Sequence, residues 1–141
     1  MVNDTFNKVR GEGKKVVTIG FCRGTWVQYR AMQAKIAMDG AICMHPSIVA
    51  EDMAGGDHSK LLAEQNCPVM VAAASNDVVW TKPGGEMEEV AKKLGFSEKS
   101  KFYDFVDMKH GWTCRGDIKD EKIARDVDLA FNYADDFIKS L

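Results

Sequence analysis

The sequence has no long apolar run. Nowhere in its 141 residues does an uninterrupted apolar stretch approach the roughly 18 residues that a bilayer-crossing helix needs. The N-terminal MVNDTFNKVRGEGKK lacks the apolar centre of a secretory signal, so the expected address is the cytoplasm. A basic patch is missing too: no basic run is longer than a pair such as Lys14–Lys15, and the formal net charge is −2. That argues against nucleic acid and membrane surfaces as partners, since both attract clustered Lys and Arg. No Gly-x-Gly-x-x-Gly follows a candidate strand and there is no P-loop, so no nucleotide cofactor is expected. The four cysteines, Cys22, Cys43, Cys67 and Cys114, form no C-x-x-C pair and no tight framework. They read as thiols, three of them buried and one reactive. His45 with Cys43, and His110 with Cys114, complete no four-ligand zinc set, and no metal is expected. Internal repeats and low-complexity segments are absent as well.

What is present is ordinary for one globular domain spanning 1–141: 45% hydrophobic and 28% charged residues, with eight methionines that read as core filler. Val16–Ile19 is a short β-branched run stopped by Gly20, the pattern of a strand buried on both faces. Trp26 to Met38 carries apolar residues at helical spacing and breaks at Asp39–Gly40. Ala41–Met44 is a second apolar run, ended by His45–Pro46. Residues 50–60 read as loop, with a helical turn at Leu61–Ala63. Val69–Ala74 is a third strand, closed by Ser75-Asn76-Asp77. A helix follows over Glu86–Leu94, ended by Gly95, then a fourth strand over Lys101–Val106. The last helix, about Asp120 to Ser140, aligns Ile123, Val127, Ala130, Phe131, Ala134 and Ile138 in one stripe. Alternating strands and helices predict an α/β fold, with about four strands in a parallel sheet and helices flanking it.

In such sheets chemistry gathers beyond the carboxyl ends of the strands. Three reactive side chains fall there: Cys22 after the first strand, Asp77 after the third, and His110 after the fourth. Gly20-Phe21-Cys22-Arg23-Gly24 has the G-x-nucleophile-x-G form of a strained strand-to-helix turn, in which flanking side chains are expected to collide with neighbouring backbone. A helix beginning there favours a thiolate and offers the Arg23 N–H to a developing oxyanion. The order nucleophile, acid, histidine suits a Cys–Asp–His triad in which Asp77 orients the imidazole, with Asp104 and Asp107 as rival acids.

Taken together, Gly-Phe-Cys-x-Gly after a Val/Ile-rich strand, His45-Pro46, Cys67-Pro68 opening the strand that ends in Asp77, and His110-Gly111-Trp112-x-x-Arg115-Gly116 resemble the dienelactone hydrolase family. The likeness runs from about residue 14 to the C-terminus. It implies an α/β-hydrolase that opens small ester, lactone or thioester bonds through Cys22, Asp77 and His110. Arg115 and Trp112 would contact substrate, Arg115 through a carboxylate. Thr25 stands where the family often has a second glycine, and Arg23 where it has an aromatic or apolar residue.

By this resemblance the chain corresponds to a partial α/β-hydrolase fold lacking the N-terminal strands, which leaves Val16–Ile19 at an open sheet edge. That edge is expected to be covered by a second copy of the chain in a homodimer, or by a partner chain. Two readings compete with hydrolysis: a catalytically silent half-fold used for binding or assembly, and a thiol-redox protein acting through Cys22.

Overall fold

The computed structural model describes residues 2–141, with side chains from Asp4 onward. Four strands, β1 (Val17–Phe21), β2 (Gly40–Met44), β3 (Val69–Ala74) and β4 (Lys101–Phe105), lie side by side in chain order, and every pairing is parallel. The helices are α1 (Val2–Gly11), α2 (Arg23–Gln33), α3 (Ala50–Met53), α4 (His58–Leu62), α5 (Glu86–Lys93), α6 (Trp112–Arg115) and α7 (Glu121–Ser140), with a 3-10 turn at Val79–Thr81.

Strands added in one direction through right-handed crossovers must put all their connecting helices on one face of the sheet. The core divides accordingly. Tyr29 and Met32 of α2, Leu61 and Leu62 of α4 and Met87 of α5 pack on one side with Cys43, Val69 and Val71. The other side is closed by α7, whose Ala130, Ala134 and Phe137 meet Ile42, Met44, Met70 and Ala72. Burial on both faces is why β2 and β3 read as unbroken apolar runs; every residue in both is buried.

Several boundaries differ from expectation. The first strand runs to Phe21, because Gly20 and Phe21 still pair with Cys43 and Met44. The first crossover helix starts at Arg23 and stops at Gln33, where Lys35 turns through φ 60. Residues 50–60, expected as loop, contain α3 and the start of α4, which Asp57 caps through its carboxylate to Ser59 N and Lys60 N. The helix α1 was not foreseen. It rests Phe6 against the α2 side of the core and ties Arg10 to Asp39 at 2.9 Å.

Among the described residues, the strand β1 has a neighbour on one side only. Of its side chains, Thr18 faces α2 and binds Gln28 Nε2 at 2.9 Å. Val17 and Phe21 lean on the α7 side of the core, and Ile19 between them is 46% exposed.

Candidate active site

The elbow after β1 is built from backbone. Cys22 sits at φ 53, ψ −119, a conformation costly for any residue with a Cβ. Three hydrogen bonds hold it: Cys22 N donates to Met44 O at 3.0 Å, and Thr25 N and Ser47 N donate to Cys22 O, each at 3.1 Å. The two flanking glycines are not equivalent. A Cβ on Gly20 would lie 2.5 Å from Gln28 Oε1 and 2.7 Å from the Gly24 carbonyl carbon, so only glycine fits. A Cβ on Gly24 would meet nothing within 4 Å, which corrects the expectation that both positions exclude side chains.

The turns at the ends of β3 and β4 bring their residues to the same place. Asp77 accepts from Ala74 N at 2.7 Å through Oδ2, and its Oδ1 lies 2.5 Å from His110 Nδ1. The Asp77 side chain is 3% exposed. His110 is fixed from its backbone, N donating to Asn76 Oδ1 at 2.7 Å, and its Nε2 reaches Cys22 Sγ at 3.1 Å. The rival acids are elsewhere: Asp104 lies 3.4 Å from Lys82 Nζ and Asp107 3.8 Å from Arg125.

This arrangement acts on the thiol and imidazole in opposite directions. Burial pushes Cys22 up, but hydrogen bonds from Ser47, His110 and the Arg23 N–H outweigh it and leave the thiol below its ordinary 9.0. For His110, burial pulls down, and the contacts with Cys22 and Asp77 more than reverse it, so its pKa lies above 6.5. Both shifts favour a thiolate–imidazolium pair. The Arg23 N–H, in the first turn of α2 where no intrahelical partner is available, is the backbone donor that reaches the sulfur.

Three residues not expected at the site stand beside Cys22, Asp77 and His110. Ser47 Oγ is 3.3 Å from Cys22 Sγ and 3.3 Å from His110 Nε2. Asn76 orients His110 as described. His45, at φ 40 and 1% exposed, packs edge-on against the His110 ring at 5.0 Å and the Trp112 ring at 5.2 Å, with Nε2 at 2.6 Å from Thr113 Oγ1. Burial, with the nearby His110 charge, drops its pKa to about 4, so it is neutral where His110 is charged. The His45–Pro46 punctuation after β2 was the available signal for the loop that carries two of the three.

Trp112 is 4% exposed and wedged against Phe105 at 4.9 Å. With His110, Arg115 and Ile123 it walls a largely apolar cavity of about 210 Å³. Arg115 is exposed, makes no ion pair among the described residues, and folds its guanidinium against Gly111. A second hollow of about 250 Å³ lies across the imidazole, lined by Pro46, Ser47, Val49, Asn76 and Val78.

The cysteines divide differently from expectation: Cys43 and Cys67 are buried, Cys22 is partly exposed, and Cys114 is exposed on the short α6. Among the described residues no group of three or more His, Cys, Asp or Glu could hold a metal ion. Nor is any described helix long and apolar enough to cross a membrane.

In comparisons with known proteins, the model of the dienelactone hydrolase family matches residues 2–140. The match therefore takes in α1, ahead of the motifs from which the resemblance was read. No curated protein and no solved structure matches the chain.

Proposed function

The chain belongs to the dienelactone hydrolase family, and on that premise we propose that it hydrolyses small carboxylic ester, lactone or thioester bonds through Cys22, His110 and Asp77. The observation that carries this reading is the 3.1 Å approach of His110 Nε2 to Cys22 Sγ, backed by the 2.5 Å contact of Nδ1 with Asp77. These are the relations a nucleophile, its base and an orienting acid must have.

The thiolate of Cys22 attacks the carbonyl carbon, and the carbonyl oxygen gathers negative charge near the Arg23 N–H. Collapse of this intermediate expels the alcohol or thiol, which takes the proton held on His110 Nε2, and leaves a thioester on Cys22. Neutral His110 then removes a proton from water, the hydroxide adds to the thioester, and the second collapse releases acid and restores the thiolate–imidazolium pair. Asp77 holds the Nδ1–H tautomer that leaves Nε2 facing sulfur. The wall of Trp112 and Arg115 beside His110 suits an acyl group that is apolar along its body and anionic at one end. The same edge of β1 that is open here is the place where a second copy of the chain would pair.

The test is intact mass after reaction with a small activated ester such as p-nitrophenyl acetate. One acetyl group on Cys22 and steady release of nitrophenol are expected, with both lost in Cys22→Ala. Undiminished release from Cys22→Ala would move the active site elsewhere.

A further inference from the structure

Ser47 is the polar side chain nearest the reacting sulfur that the triad leaves without a task. Its hydroxyl is equidistant from Cys22 Sγ and His110 Nε2, at 3.3 Å from each. Its position does not depend on that contact. The preceding Pro46 and the following Ile48 are buried, Ser47 N donates to Cys22 O at 3.1 Å, and Ser47 O accepts from Ala50 N at 3.1 Å as the chain enters α3. The backbone therefore presents the hydroxyl to the elbow whether or not the sulfur is charged.

We propose that Ser47 is a further catalytic residue of this site: it donates its O–H to the Cys22 thiolate and accepts the Nε2–H of the His110 imidazolium, closing a three-membered ring of hydrogen bonds. The proposal rests on the triad reading above. A hydroxyl has one proton and two lone pairs, so it can serve both neighbours at once. In the cycle above His110 is an imidazolium whenever Cys22 is a thiolate, but its Nε2 proton is also the one that is passed to the departing alcohol. The serine proton takes no part in that transfer, and it is still there when the thiolate reappears as the leaving group of the thioester. The hydrogen bond from Ser47 is foremost among the interactions that lower the Cys22 thiol. The titratable or charged groups around the sulfur are His110 with Asp77 behind it, His45 with Arg115 beyond it, and Arg23 on its own helix. Of these only His110 shares a hydrogen bond with Ser47.

The experiment is the pH dependence of Cys22 alkylation by iodoacetamide, followed by mass, in the native chain and in Ser47→Ala, Ser47→Thr and His110→Ala. Ser47→Ala should raise the midpoint by about one pH unit, leaving roughly tenfold less thiolate at any pH below both midpoints. Ser47→Thr, which keeps the hydroxyl, should titrate like the native chain. Should Ser47→Ala fail to fold by circular dichroism, Ser47→Gly removes the same hydroxyl and carries the same expectation. A native midpoint in Ser47→Ala together with a raised one in His110→Ala overturns the role of Ser47 and leaves the triad intact. Native midpoints in both overturn the triad reading and this inference with it.

Discussion

The two glycines of the elbow should respond to the same substitution with opposite signs. In Gly20→Ala the new methyl would lie 2.5 Å from Gln28 Oε1 and 2.7 Å from the backbone carbon of Gly24. The glutamine could retreat, but it is tethered: Nε2 donates to Thr18 Oγ1 at 2.9 Å and to Ile42 O at 3.2 Å. Gln28 is 6% exposed, so a displaced amide would leave buried polar groups unpaired, at about 1–3 kcal/mol. The contact with Gly24 can be relieved only by shifting backbone, another ~1–3 kcal/mol. Gly20→Ala should therefore lose about 2–6 kcal/mol and displace Cys22. Gly24→Ala meets nothing and lies in α2, where alanine is favoured over glycine by up to ~1 kcal/mol; it should be neutral or slightly stabilising. Urea unfolding of the three proteins side by side is the assay. Equal losses in the two variants, or a loss below about 1 kcal/mol in Gly20→Ala, would refute the close approach of α2 to β1.

Iodoacetamide at neutral pH should alkylate Cys22 ahead of Cys43 and Cys67, whose thiols burial pushes up, Cys67 to about 12; mapping of partly labelled protein gives the order, and equal labelling of the three counts against an activated Cys22. Acid should weaken the fold through His45: the unfolded chain takes up its proton near 6.5 and the folded one only near about 4, so stability falls as pH drops between those values, by at most ~3 kcal/mol. The raised pKa of His110 works the other way, giving stability below 6.5 that is lost as pH rises through its folded value. His45→Gln should flatten the acid slope of urea midpoints measured between pH 7 and 4, and an unchanged slope would assign the effect to other groups. Self-association through β1 should appear as dimers in sedimentation velocity at micromolar concentration and weaken in Ile19→Lys, because a charge on an edge strand opposes pairing; a monomer at all concentrations refutes it.

The legible parts of this molecule were those in which local pattern and burial agree. The runs 41–44 and 69–74 are apolar throughout because both of their faces are covered, and no partner needs to be known to read them as strands. The start of α2 was hidden because Arg23 and Gly24 bear no apolar face; that turn is helical because the elbow delivers the chain there, a matter of backbone angles and not of hydrophobic spacing. In 50–60 the pair Gly55–Gly56 masked a capped helix whose signal was Asp57. Cys22, Asp77 and His110 could be singled out because strand ends are marked by turn residues, and geometry brings those three together. Ser47 could not: it meets Cys22 across 25 positions and His110 across 63, and only the fold shows which loop passes over the elbow.

The backbone angles at Cys22 have a consequence for how such a chain can change. A left-handed φ on a residue with a side chain holds roughly 1–3 kcal/mol of strain, and here it is kept by the bonds to Met44, Thr25 and Ser47. Cys22→Gly would relieve that strain while removing the proposed nucleophile, so the variant without the thiol should be the more robust one. Stability alone therefore gives no reason to keep a cysteine at this turn, and random drift would erode it toward glycine. A cysteine in this tight turn, which favours glycine, therefore stands at a cost in stability that a glycine would not carry.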